Sequence, residues 1–294
     1  MKVLAISPHL DDAVVSAGGR IFDLTASGHE VLVWTMFARS AFPPYSPLAQ
    51  ALHELWKLPH DPVGVRRRED VRAVTRLGAE PRQAEFLDAI YRRDPAGWQF
   101  AEGSSLYSPS KDAGLHARLC RAVRVALSTR PDLVLTAAAI GAHVDHVAVR
   151  DAVLTACQDP GVPVQLWQDL PYSARTSQPP GVPPGACLGT PERIPMSSAG
   201  WLAKCAAVAC YESQLSALWP GHADFQVPLA AHARTAGKPA AGFAETFWPV
   251  RWKTQPVPAE HAGQRQRPGS LIAGGHVRYD SDGDDAIAAN SPRC

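Results

Sequence analysis

The chain predicts an α/β fold: a single domain with a mostly parallel central sheet flanked by helices. Three observations carry this prediction. Short apolar runs alternate with amphipathic segments from the first residues onward. The runs have the length of strands buried on both faces, as in a parallel sheet. The two clusters richest in His and Asp each follow such a run directly, where open α/β sheets present their ligands.

Each element follows in order. Lys2–Ser7 (KVLAIS) reads as a central strand. Asp11 or Asp12 can cap a helix running to about Ser27 and closed by Gly28. Glu30–Phe37 (EVLVWTMF) is the second strand, so the chain opens as a βαβ unit with a right-handed crossover. Residues 38–64 read as a proline-rich loop with a short helix near Leu48–Trp56. Arg66–Gly78 is an amphipathic helix on the stripe Val71, Val74 and Leu77. Ala84–Tyr91 reads as a strand, Gly103–Asp112 as a polar loop, and Leu115–Leu127 as a helix. Leu133–Ala138 is a strand, Val147–Cys157 a helix and Val164–Trp167 a strand. Residues 173–197 read as a long proline-rich loop, Trp201–Leu218 as one helix and Gly242–Trp252 as a late strand. The domain therefore spans 1–253. Residues 254–294 are polar and are expected to form a partly disordered tail.

Composition excludes several function classes. The 294 residues are 46% apolar and 19% charged, as in soluble globular proteins. A formal net charge of +1 offers no field for nucleic acid or an anionic membrane. No stretch reaches the roughly 20 apolar residues a membrane span needs. The N-terminal apolar run is too short for a signal segment, so a cytoplasmic location is expected. The six cysteines show no paired spacing and read as structural thiols. The pattern leaves oligomeric state open.

The chemistry sits in Pro8-His9-Leu10-Asp11-Asp12 and His143-Val144-Asp145-His146. If the strands before them are neighbours, the clusters converge despite their separation in sequence. His9, Asp12 and His146 then supply two imidazoles and a carboxylate, a set that suits catalytic zinc and also fits Fe2+ or another divalent metal. Asp11 remains as a general base. His143 remains to stabilise an oxyanion as imidazolium or to protonate a leaving amine. Asp145 is placed to orient one imidazole. Arg39, Tyr172, Trp219 and His222 lie in loops that can form a substrate rim, with Tyr172 the best placed because it follows a strand.

These motifs resemble those of the PIG-L / LmbE-like deacetylases, which carry PHxDD and HxDH motifs. Leu10 stands where that family usually has proline. Gly18-Gly19, Arg66-Arg67-Arg68-Glu69 with Leu77-Gly78, Lys204 with Tyr211-Glu212-Ser213-Gln214, and Gly242-Phe243-Ala244-Glu245 extend the likeness over about residues 1–250. The resemblance implies a Rossmann-like fold and a zinc-dependent N-deacetylase. It implies His9, Asp12 and His146 as ligands, Asp11 as base, His143 as the acid or electrostatic group, and Arg66 as a substrate contact. Its substrates are small-molecule N-acetylglucosamine-type glycoconjugates, antibiotics included. Some members have an aromatic hydroxyl two residues before the second motif. Gly141 stands there in this chain, so any such donor comes from elsewhere. Three alternatives stay open: an amidase for a larger acyl or thiol conjugate, a non-catalytic sugar or nucleotide binder, and a two-metal phosphohydrolase, which would want more carboxylates than the motifs supply.

Overall fold

A computed structural model describes residues 1–110, 112, 114–174, 180–236 and 242–253. Its compact unit runs Met1–Trp252; the tail expected at 254–294 lies outside the described residues. The strands are β1 (Lys2–Ser7), β2 (Glu30–Thr35), β3 (Glu80–Gln83), β4 (Arg93–Asp94), β5 (Gly97–Trp98), β6 (Leu133–Ala137), β7 (Val164–Trp167), β8 (Ala186–Leu188), β9 (Glu192–Pro195) and β10 (Ala244–Trp252). The helices are α1 (Asp12–Ala26), α2 (Pro47–Leu55), α3 (Pro62–Arg76), α4 (Leu115–Leu127), α5 (Val144–Gln158), α6 (Ser198–Val208), α7 (Leu215–Leu218) and α8 (Gln226–Ala236). No described helix is long and apolar enough to cross a membrane.

The main sheet is ordered β3-β2-β1-β6-β7-β10-β8, with β9 also paired to β10. β3, β2, β1, β6 and β7 are parallel, and β10 runs antiparallel to its neighbours. After β1 the chain moves outward through β2 and β3, then returns to β6 on the other side. The junction of β1 and β6 is thus the topological switch point, where this architecture opens a binding crevice. Strand alternation divides the core. Val3 and Ala5 of β1 pack on the face covered by α1, α3 and α6, whereas Leu4 and Ile6 face α4 and α5.

The structure corrects three of the expected elements and adds one. Ala84–Tyr91 is no strand; the strand lies earlier, at Glu80–Gln83. That edge position tolerates Pro81 and polar side chains, so an apolar pattern could not mark it. The loop 173–197 contains β8 and β9, recruited by pairing with β10. The helix expected over Trp201–Leu218 is broken between α6 and α7, and α8 was not anticipated. Cys120, Cys157, Cys205 and Cys210 are free thiols, as expected of structural cysteines.

The short motifs beyond the two clusters tie these layers together. Lys204 Nζ donates to Glu245 Oε1 at 2.6 Å, both side chains being buried. Glu245 also accepts from the backbone N–H of Gly19 and Arg20 in α1 (3.0 and 2.8 Å). A Cβ on Gly19 would meet Met196 Sδ at 2.0 Å, so the glycine is needed for that close approach. The break after α6 is anchored in the same way. Glu69 of α3 accepts from Ser213 N and Oγ, and Asp70 accepts from the Tyr211 hydroxyl.

Candidate metal centre

The first cluster forms the turn between β1 and α1. Ser7 Oγ donates to His9 O (2.8 Å) and accepts from Ala13 N (3.1 Å). Asp12 Oδ2 accepts from His9 N at 2.8 Å. Asp11 occupies the N-cap position, yet its side chain makes no capping bond. Its φ of 151° is one that non-glycine residues rarely adopt; such backbones cost on the order of 1–3 kcal/mol and mark over-determined sites. The Asp11 carboxylate is therefore not consumed by the helix. It faces the Arg66 guanidinium at 3.4 Å.

The second cluster begins α5 one turn earlier than expected. The loop into it turns through positive φ at Ala139, Gly141 and Ala142 (59°, 88° and 57°). His143 is the N-cap, and its Nδ1 accepts from Asp145 N at 3.3 Å. That bond assigns the remaining proton of the neutral ring to Nε2. Asp145, wholly buried, accepts from His9 Nε2 (3.1 Å) and Ala89 N (2.9 Å) and pairs with Arg92. His146 Nδ1 is bonded to Asp169 Oδ1 at 2.8 Å, and Asp169 Oδ2 accepts from Ile140 N at 3.0 Å.

These bonds leave lone pairs aimed at one point. His9 Nδ1 and His146 Nε2 each lie 3.2 Å from Asp12 Oδ2. His146 Nε2 is buried without a hydrogen-bond partner. Ring nitrogens of His9, His143 and His146 lie within 4.8 Å of one another. Burial opposes charge on His146, but Asp12 and Asp169 outweigh it and push its pKa up to about 9. His9 is likewise raised despite burial, chiefly by Asp88 and Asp12. Asp12 is held well below the usual carboxylate range, its burial overcome by His146 and His9. A pocket that favours protons on the imidazoles of His9 and His146 is a negative well around Asp12, and the donor set fits a divalent cation.

A second convergence, of His9, Asp88 and Asp145, lies behind the first. Asp145 is already neutralised by Arg92 and takes the His9 Nε2 proton, so this group serves as outer support for His9.

Asp11 is pushed up to about 7, chiefly by burial, with Arg66 opposing and Asp12 adding to the rise. His143 is driven well below the usual imidazole value by burial and by the neighbouring His9 and His146, so it stands neutral here rather than as the imidazolium the sequence suggested. Arg66 is buried, stacked on Trp56 at 4.7 Å, and touches Asp11 and Leu10 O rather than an open surface. Tyr172 lies with its ring 5.3 Å from that of His146 and packs against Gly141, where an added Cβ would stand 3.2 Å from Tyr172 Cβ. Trp219 and His222 line a separate recess beyond Pro171.

Sequence reasoning missed the supports of the site: Asp169, Asp88, Arg92 and Trp56. Asp169 alone had a usable signal, since it follows the apolar strand Val164–Trp167 as the two clusters follow theirs.

Residues 4–157 match the family described as PIG-L: GlcNAc-PI de-N-acetylase. A 2'-N-acetylparomamine deacetylase from Streptomyces fradiae is 34% identical over 178 residues, 59% of this chain and 58% of that enzyme's length. The zinc-inhibited form of teicoplanin deacetylase Orf2 superposes with a TM-score of 0.80 at 38% identity, covering 87% of this chain and 100% of that one. The A40926 pseudoaglycone deacetylase Dbv21 gives 0.76 at 40% identity, over 86% and 98%.

Proposed function

The chain belongs to the PIG-L family, the GlcNAc-PI de-N-acetylases, and from that premise we propose that it is a zinc-dependent hydrolase removing an N-acetyl group from an amino sugar of an antibiotic-type glycoconjugate. Its likeness to deacetylases of teicoplanin, A40926 pseudoaglycone and 2'-N-acetylparomamine supports the substrate class. One observation carries the chemistry: two imidazole lone pairs and the Asp12 carboxylate converge, while Asp11 beside them is spared from capping its helix.

His9, Asp12 and His146 hold the metal, with Asp145 and Asp169 fixing the two imidazoles by their far nitrogens. Zinc bound there supplies Lewis acidity toward the acyl carbonyl and lowers the pKa of water to about 7. Asp11 takes the proton of the attacking water and returns it to the departing amine nitrogen; a base with a pKa near neutrality suits both transfers. Arg66 positions Asp11 and keeps its ionised form accessible. His143, neutral with its proton on Nε2, donates to the oxyanion that develops on the acyl oxygen. The Tyr172 ring lies 6.5 Å from that of His143 and 5.3 Å from that of His146 and packs against Gly141, and its hydroxyl is a second donor to the substrate.

The test is acetate release from an N-acetylglucosaminyl glycopeptide and from 2'-N-acetylparomamine, with metal content measured on the same preparation. Stoichiometric zinc and acetate release lost on chelation are expected. Full activity in metal-free protein, or no acetate from any N-acetylated amino sugar with zinc present, overturns the reading.

A further inference from the structure

Beside the metal centre lies a recess of about 270 Å³ that no step of the proposed hydrolysis uses. Its walls include Phe42, Tyr45, Tyr91 and Trp98, with Arg39 and Arg93 among the lining residues. Phe42 is 80% exposed, so its ring is available to a ligand entering the recess. The lining contains no Asp or Glu. Neither Arg39 nor Arg93 is in an ion pair with a described carboxylate.

Arg93 lies over the Trp98 ring at 4.4 Å, across the β4–β5 pair. Stacking occupies the flat face of a guanidinium and leaves its N–H edge for an acceptor lying in the same plane. A carboxylate matches that edge with two parallel hydrogen bonds. The aromatic walls suit a flat ring attached to it. A polycationic amine ligand would meet two unneutralised like charges instead.

Two chain segments lead from the recess toward the reaction centre. Arg39 follows two residues after Phe37, whose ring lies 5.9 Å from that of His9. Leu87, another lining residue, precedes Asp88, whose Oδ2 lies 3.7 Å from His9 Nε2.

We infer that this recess is an aglycone subsite whose ligand is a carboxylate carried on an aromatic ring. The inference rests on the deacetylase reading only for where the scissile amide lies. It separates acidic, ring-bearing glycoconjugates from polyamine ones as substrates of this chain.

Two synthetic probes test it: 4-carboxyphenyl 2-acetamido-2-deoxy-β-D-glucopyranoside and its methyl ester. Acetate release by the zinc-loaded enzyme gives KM for each, and calorimetric titration gives Kd independently of turnover. The acid should bind about tenfold more tightly than the ester, the size of one good charged hydrogen-bond pair. Arg39→Ala combined with Arg93→Ala should bring that preference close to unity. Both arginines are exposed, so the double variant should fold. Trp98→Ala should weaken acid and ester together. Equal affinity for acid and ester in the wild type, or a preference that survives in the double variant, overturns the subsite. Should neither probe release acetate while the acid still binds in an arginine-dependent manner, the subsite stands and the deacetylase reading falls.

Discussion

Two buried polar networks in this protein use the same residue types and end in opposite states. The one joining α1, α3, α6 and β10 is closed. Lys204 meets Glu245, Glu69 meets Ser213, Asp70 meets Tyr211, and none of these side chains keeps an unpaired buried atom. The metal centre is open. His146 Nε2, Arg66 Nε, and Arg92 Nε and Nη1 are buried there without partners. Carboxylates in both networks are fixed by hydrogen bonds, so burial and charge alone do not distinguish a scaffold from a reactive site. What distinguishes them is leftover hydrogen-bonding capacity, because a buried polar atom without a partner costs free energy that only an outside group offsets.

The sharpest way to break this comparison is at Asp11. Asp11→Asn should lower kcat for acetate release by about 10²–10⁴-fold, the range for losing a general base, while leaving the unfolding midpoint nearly unchanged. A variant that unfolds early but turns over normally would place Asp11 with the scaffold. The converse change is Lys204→Met. It strands Glu245 in the core and should cost about 3–5 kcal/mol of stability in denaturant unfolding, with zinc content and kcat close to wild type. A large loss of kcat in the folded variant would show that the closed network also governs the reaction.

The closed network has its own pH signature. Burial pushes Asp70 up to about 6, against hydrogen bonds from Tyr211, Gln83 and Thr35. Its folded pKa is above the unfolded value near 3.9, so the folded state holds the extra proton between those values. Stability from this group therefore falls as pH rises from about 4 to 6, by up to about 3 kcal/mol, and is flat above. Comparing urea midpoints of wild type and Asp70→Asn across that window checks the sign. The smallest expected effect sharpens the edge of the open site. Asp169→Ala should weaken zinc binding by about 10–100-fold in competition with a chromophoric chelator, as losing the partner of a ligating imidazole does. Asp169→Asn, which keeps an acceptor oxygen, should recover part of it.

Much of the open site was legible because its residues are contiguous with strands. His9–Asp12 and His143–His146 each follow an apolar run, and β1 and β6 are neighbours, so the expected convergence is met. The division between Asp11 and Asp12 was only half legible. Either could cap a helix, and only the bond from Ala13 N to Ser7 Oγ shows that Asp11 is spared. The supports were less visible because they come from irregular segments. Asp88 sits within, and Arg92 just after, the stretch 84–91 whose apolar pattern suggested a strand, and the strand itself hid in Glu80–Gln83 as a polar edge. Arg66 is expected as a substrate contact from the family resemblance alone, and its place in a run of three arginines gives no sign of burial. Only packing shows that the first of them turns inward onto Trp56. The closed network was visible as scattered motifs whose pairing no local pattern could give, since Glu69 and Ser213 are brought together by the sheet.

The reach of Glu245 back to the N–H groups of Gly19 and Arg20 also orders events in time. The ribosome releases His9, Asp12 and His146 by the first turn of α5, well before Asp169, Lys204 and Glu245 exist. A growing chain thus displays the proposed ligands without the clamp on α1 or the carboxylate behind His146. If those three residues hold the metal, a chain truncated before β10 should retain less of it than the full-length protein, which metal analysis of the two would show.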